Sequence, residues 1–280
     1  MTEQKKKVLI SKKYLDKFIP VNFKPEIAII TDSDYKLPSF LKILKKIKLD
    51  SVPPVIEMRD DSVRYFIFAK YSSKNIIIIN GRYYFYEGLT MRELGHYIYL
   101  LKTLGIKKII SIDEVANLNP RFSPGEIALI YDQINLMGDN PLIGENDDTF
   151  GIRFPDMSDA YSSDLFKKTY KILQDLKIKI NESVYLGLIG PESETEAEAR
   201  FYREIGSDIA GYSLIPENIS AVHAGIKFAG IGLITRDIIA DKIAEDNSTE
   251  REKQLLRFKY HKKAKEKSDL ILRNILSADL

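Results

Sequence analysis

The 280 residues are 44% hydrophobic, enough for a sizeable core, and 42 Lys and Arg against 40 Asp and Glu leave a formal net charge of only +2, which gives no electrostatic reason to expect nucleic acid or a membrane surface as partner. Cysteine is absent, which excludes disulfides, thiolate catalysis and Cys-ligated zinc, and His96, His223 and His261 lack the spacing of a metal site, so none is expected. The start MTEQKKKVLISKK has too short an apolar run for a secretory signal, and no stretch approaches the roughly 18 apolar residues of a spanning helix, so a soluble cytoplasmic protein is expected.

Apolar runs of strand length alternate with helix-period segments along the chain. That pattern predicts one α/β domain spanning residues 1–280, with a central mixed, largely parallel β-sheet flanked by helices. In chain order the elements are a strand at Pro25–Thr31, a helix at Leu37–Leu49, strands at Val63–Tyr71 and Asn75–Asn80, and a helix at Met91–Leu104. Strands at Lys108–Ile112 and Glu126–Ile134, a helix at Ser163–Ile178, a strand at Val184–Ile189 and a helix at Thr195–Ile205 follow. The order ends with a strand at Asp208–Ser213, a helix at Pro216–Ala224, a strand at Phe228–Thr235 and a long helix from Glu250 to about Leu276. Thr249 and Glu252 have the spacing of a capping box for that last helix, whose basic middle, RFKYHKKAKEK, reads as a solvated face. Between Gly138 and Ser162 periodicity is lost and Asn, Asp, Gly and Pro accumulate, as in a long ordered loop of the functional kind.

That loop contains NPLIGENDDTFGIRFPDMSDAYS, Asn140–Ser162, which resembles the signature segment of trimeric purine nucleoside phosphorylases and methylthioadenosine phosphorylases. LNPRFSPGEIALIYDQINLMGD before it (Leu118–Asp139), the base-binding half at Gly190–Thr235 and NGRYYFYEG at Asn80–Gly88 are similar to the same family in order and spacing. The resemblance implies a homotrimeric pentosyltransferase in which phosphate cleaves a purine nucleoside to free base and pentose 1-phosphate. Phosphate is the co-substrate, and no metal or organic cofactor is implied. Such a site needs donors for phosphate, a shaped ribose pocket and polar groups that stabilise the departing purine.

For phosphate, the resemblance assigns Ser33, Arg82 and Ser213, with Tyr84 at the family's histidine position. Ser33 lies in TDSDY, where the family has a glycine-rich turn, so Asp32 and Asp34 stand in place of glycines. Either these carboxylates face the anion, or they cap and turn the chain with side chains aimed away. A carboxylate a few ångströms from phosphate repels it by about 1 kcal/mol in water-like surroundings and by more when desolvated. Weak phosphate binding, about millimolar or poorer, is therefore expected. Ile112–Asn117 occupies the place of a Thr-Asn-Ala-Ala-Gly-Gly-like stretch, which adds Asp113 and Glu114 to the phosphate candidates.

For the base, Glu194 matches the family's purine-binding glutamate, with the alternative of a helix N-terminal acid beside the macrodipole. Ser193 replaces a stacking aromatic, Tyr212 a methionine under the ribose, and Arg236 the Asn or Asp that reads the purine. Arg236 either donates to the adjacent N7 and O6 acceptors of the base or neutralises Asp113, Glu114 or Glu194. Glu194 and Arg236 are the catalytic candidates. For ribose, Tyr86 matches a sugar-contacting tyrosine and Phe150 an aromatic that reaches into a neighbouring subunit's site, while His96 and His223 fit structural roles and His261, about three turns into the last helix, does not replace the family's histidine near the ribose. Two further readings remain open: a diverged homologue that binds or regulates without phosphorolysis, and a nucleoside hydrolase in which an added carboxylate activates water.

Overall fold

The structure, a computed structural model, describes residues 1–54, 62–241 and 248–278. These fall into two compact units. The first comprises Met1–Ser111, Asp139–Ala160 and Pro216–Ala229, and the second Ile112–Gly138, Tyr161–Ile215 and Gly230–Leu280.

In the first unit, β1 (Pro25–Thr31), β2 (Lys42–Lys48), β3 (Tyr65–Tyr71), β4 (Lys74–Asn80) and the beginning of β5 (Lys108–Asn117) lie in the order β2-β3-β4-β1-β5. β2–β3 and β3–β4 are antiparallel, whereas β4–β1 and β1–β5 are parallel. Ile76, Ile77 and Ile78 of β4 are fully buried, as a near-continuous apolar run on an inner strand should be.

The helix expected at Leu37–Leu49 is not formed, and strand β2 occupies most of it. Leu41, Leu44 and Ile47 have helical spacing, but the edge of β3 offers a ladder of backbone partners that this segment satisfies by pairing from Lys42 to Lys48. Lys42, Lys45, Lys46 and Lys48 then charge the outer edge, a common defence against further strand pairing. A helix that the basic N-terminus did not suggest, α1 (Glu3–Leu15), is capped by Thr2 and buries Val8, Ser11 and Leu15.

The helix expected at Met91–Leu104 forms as two segments, α2 (Met91–Leu94) and α3 (His96–Thr103), meeting at Gly95. A Cβ at Gly95 would lie 2.3 Å from Ser220 Oγ, so a larger residue there would require that hydroxyl to move. His96 is buried with Nε2 2.9 Å from Ser11 Oγ, tying α3 to α1. Burial pulls its imidazole down to about 4, the Lys7 charge adding and Glu93 opposing. A histidine kept neutral by the fold contributes stability that is complete above its ordinary value of 6.5 and is lost as pH falls from there toward about 4. The unfolding midpoint in denaturant is expected to fall across that window by the equivalent of up to about 3 kcal/mol. His96→Gln, which does not titrate, should flatten the profile, and an unchanged slope in that variant would assign the effect elsewhere.

The long loop is ordered by its own polar groups. Asp147 accepts hydrogen bonds from Thr2 Oγ1 (2.8 Å) and from Thr149, and Arg92 donates to the carbonyls of Ile143 and Glu145. His223 joins Tyr99 Oη to Asn146 Oδ1, with both distances 2.9 Å.

In the second unit, β6 (Ile127–Asn135), β7 (Asn181–Gly187), β8 (Ile209–Gly211) and β9 (Lys227–Asp237) follow the end of β5 in the order β5-β8-β7-β6-β9. β8–β7 and β7–β6 are parallel, while β5–β8 and β6–β9 are antiparallel. Helices given in full among its described residues are α4 (Ser163–Asp175), α5 (Glu196–Glu204) and α7 (Glu250–Ser277), and α6 (Leu214–His223) begins here. Thr249 and Glu252 form the expected capping box of α7. No helix among the described residues is long and apolar enough to cross a membrane.

Candidate active site

In the first unit, the end of β4 carries Arg82 into a buried polar cluster. Its Nε lies 3.2 Å from Asp32 Oδ1 and 3.5 Å from Glu217 Oε1, and its Nη2 donates to Ser111 Oγ at 3.2 Å. Ser111 in turn donates to Glu217 Oε2 at 2.6 Å. Tyr84 Oη donates to Asp32 Oδ1 at 2.6 Å and its ring stacks on Tyr86, centroids 5.0 Å apart. Burial pushes the Glu217 carboxyl above its ordinary value, against the Arg82 charge and the Ser111 hydrogen bond, which pull it down. Asp32 thus faces the arginine, one of the two orientations the sequence left open. Ser33 and Asp34 are exposed in the turn after β1, and Tyr86 is exposed as well.

Phe150 does not project outward. It is buried within its unit against Tyr99, ring centroids 4.7 Å apart, because the packing of the long loop gives its ring an apolar shelf in the same chain.

In the second unit, the loop before α5 and the end of β9 bring Glu194 and Arg236 together. Arg236 Nη1 lies 2.6 Å from Glu194 Oε2, and Nη2 donates to Glu194 Oε1 at 2.9 Å and to Tyr212 Oη at 3.1 Å. Tyr212 Oη is 3.2 Å from Glu194 Oε1. This two-pronged geometry fixes the guanidinium plane. Burial lowers the Arg236 pKa, but the hydrogen bond and charge of Glu194 outweigh it and hold the group above its ordinary value. The Tyr212 hydroxyl is pushed up to about 12, chiefly by burial. Ser193, next to Glu194, is exposed.

Asp113 and Ser213 meet through a residue that the sequence did not single out. Tyr185 Oη donates to Asp113 Oδ2 at 2.9 Å and accepts the backbone N–H groups of Ser213 (3.1 Å) and Leu214 (3.3 Å). Burial, then the Asp113 charge, pushes the hydroxyl well above its ordinary value. Tyr185→Phe takes a donor from a buried carboxylate and an acceptor from two N–H groups, so a loss of about 1–3 kcal/mol is expected in urea unfolding. A loss below a few tenths would mean that water replaces the hydroxyl. Glu114 turns to α7, where Arg257 Nε donates to it at 2.8 Å and His261 Nε2 lies 3.8 Å away.

Sequence reasoning missed Glu217, Ser111 and Tyr185. Glu217 left a signal, as the one charged acid within LIPENISAVH, where Ile215, Asn218 and Ser220 are buried around it. Ser111 and Tyr185 lie in strands and carried none.

Residues 26–276 match the model of the phosphorylase superfamily. The chain is 39% identical over 191 residues to purine nucleoside phosphorylase 1 of Bacillus subtilis (strain 168), covering 68% of this chain and 70% of that one. This chain belongs to the purine nucleoside phosphorylase family. It is also 33% identical over 227 residues to the Mus musculus purine nucleoside phosphorylase, covering 78% of each. Among solved structures, isoform 2 of the Schistosoma mansoni enzyme, in complex with cytosine and ribose-1-phosphate, is similar with a TM-score of 0.87 at 27% identity, covering 98% of this chain and 97% of that one. The α/β class expected from the sequence, a mixed, largely parallel sheet flanked by helices, is the fold of these relatives.

Proposed function

We propose that this family member is a purine nucleoside phosphorylase, a pentosyltransferase that cleaves a purine nucleoside with inorganic phosphate to free base and pentose 1-phosphate. The observation that carries the reading is 33–39% identity, over most of the chain, to enzymes of that name. A structural neighbour solved with ribose-1-phosphate, the pentose product of such a reaction, supports it. Phosphate is the co-substrate, with no metal or organic cofactor, and a cytoplasmic location is part of the same reading.

One oxygen of phosphate forms a bond to the anomeric carbon as the glycosidic C–N bond breaks. The electron pair of that bond passes to the purine, which then takes a proton from solvent. Arg82, Ser33, Tyr84 and Ser213 are assigned to the phosphate, Tyr86 and Tyr212 to the sugar, and Ser193, Glu194 and Arg236 to the base. Held by Glu194 above the ordinary arginine range, Arg236 does not act as an acid. It donates hydrogen bonds to the purine as negative charge develops there, in a position already fixed by Glu194.

The 280 residues are taken as one functional domain, assembled as a homotrimer. Ile143, Ile152 and Phe154 of the long loop are 62%, 69% and 84% exposed, and such apolar side chains clustered on one loop fit a surface covered by another copy. Light scattering at micromolar concentration reads the assembly, and a clean monomer would remove it. The activity is read by incubating the protein with inosine, guanosine, adenosine and methylthioadenosine, with and without phosphate. Base release that requires phosphate is expected, whereas release without phosphate, or none at all, overturns the proposal.

A further inference from the structure

Glu194 and Arg236 lie at different depths of the second unit. The Glu194 side chain is 3% exposed and that of Arg236 30%, although the two are paired at 2.6 Å. A guest approaching from solvent therefore meets the guanidinium, and the carboxylate lies behind it. Glu194 Oε2 accepts from Arg236 Nη1 at 2.6 Å, and Oε1 accepts from Nη2 at 2.9 Å with Tyr212 Oη 3.2 Å away. To reach a base, the carboxylate would have to give up part of this fork, whose two parallel charge-assisted bonds are among the stronger ones in proteins.

The scaffold holds the pair in that order. Glu194 comes immediately before Thr195, the cap of α5, whose hydroxyl accepts from the Glu198 N–H while Glu198 closes the capping box. Tyr212, which accepts from Arg236 Nη2 at 3.1 Å, packs its ring against the buried cluster that includes Leu186, Leu188, Ala199 and Ile238. Arg257, whose charge also reaches Arg236, donates to Glu114 at 2.8 Å. A guanidinium carries five N–H donors and no acceptor. Among the described residues, the contacts to Glu194 and Tyr212 engage three of them, so Arg236 keeps donors for a guest. What such a group can read on a purine is an acceptor, N7 or O6. The N1–H of a 6-oxopurine is itself a donor, and a cation offers it nothing.

We propose that the base is held by its acceptor edge on Arg236, that Glu194 is a positioning residue which does not touch the base, and that purine nucleosides methylated at N1 are therefore substrates. The inference rests on the assignment of Arg236 to the base made above. Methylation at N1 leaves the reaction balanced. The phosphate oxygen bonds to the anomeric carbon and the glycosidic C–N bond breaks as before, and the departing 1-methylpurine takes its proton at an imidazole nitrogen, N7 or N9.

Phosphate-dependent base release from inosine and from 1-methylinosine gives kcat/KM for each, and the rise in thermal unfolding midpoint reads the binding of hypoxanthine and 1-methylhypoxanthine. In the wild-type protein both comparisons are expected to agree within threefold. Arg236→Met should weaken the binding of both bases at least tenfold. Arg236→Gln, which still donates to Glu194, serves if the methionine variant does not fold. Glu194→Gln should lower kcat/KM for the two nucleosides by the same factor, because a loosened guanidinium serves each equally badly.

A wild-type loss of more than threefold on methylation overturns the inference. So does a Glu194→Gln loss confined to inosine, which would mark the carboxylate as the reader of N1–H, and so does undiminished base binding in the folded Arg236 variant. If inosine is still cleaved with phosphate in any of these cases, the proposed function stands and only the reading of the base fails. If neither nucleoside is cleaved, the proposed function fails, and the binding of the two bases still decides the role of Glu194.

Discussion

Replacing Arg82 with methionine is expected to cost about 3–5 kcal/mol of stability and to abolish phosphate-dependent cleavage. The guanidinium lies between Asp32 and Glu217, both with side chains less than one-eighth exposed, and it donates to Ser111. Methionine fills much the same volume but leaves two buried carboxylates facing each other without a cation. Such a pair destabilises by more than its intact salt bridge stabilises, because the desolvation of each acid is no longer compensated. Adding Asp32→Asn and Glu217→Gln to the methionine variant should recover most of the stability while leaving cleavage absent, since the guanidinium assigned to phosphate is then gone. Urea unfolding and an inosine assay separate the two effects. A single variant within about 1 kcal/mol of wild type would mean that water or structural relaxation already serves the acids.

The second large effect is expected at Arg236. Arg236→Met should lower kcat/KM for inosine by at least about 100-fold, or about 2.7 kcal/mol, the usual scale for losing one preorganised donor to developing charge. The loss should fall mainly in kcat, because charge on the purine is greatest as the glycosidic bond breaks. Arg236→Lys should not restore the rate. A point-charge ammonium cannot reproduce the fork that meets Glu194 at 2.6 and 2.9 Å and Tyr212 at 3.1 Å. Glu194→Gln tests the same geometry from the other side: it keeps the shape but weakens the clamp that aims the guanidinium. A kcat/KM within threefold of wild type for Arg236→Met would remove the residue from the base site.

Much of this protein was legible in the chain itself. Strand β1 and the long final helix follow from an unbroken Ile-rich run and from a Thr-x-x-Glu cap, signals that local physics fixes without help from the rest of the molecule. Composition alone excluded thiol and disulfide chemistry, and the order of motifs from Asn80 to Thr235 carried the family.

Tertiary structure decided the remainder. Lys42–Lys48 has helical spacing and becomes a strand because the open edge of β3 offers backbone partners that a helix there would leave unpaired. The direction of Asp32 also could not be read from TDSDY, since the same residues suit a cap or a pocket, and only the arrival of Arg82 from β4 and Tyr84 beside it turns the carboxylate inward. Glu217 and Tyr185 escaped for a related reason. Each is one polar side chain among the buried residues of its element, and its role exists only once Arg82 and Ser111, or Asp113 and the start of α6, have been brought to it by chain segments distant in sequence. Periodicity reports which face of an element is buried, but the partner of a buried charge is set by the fold.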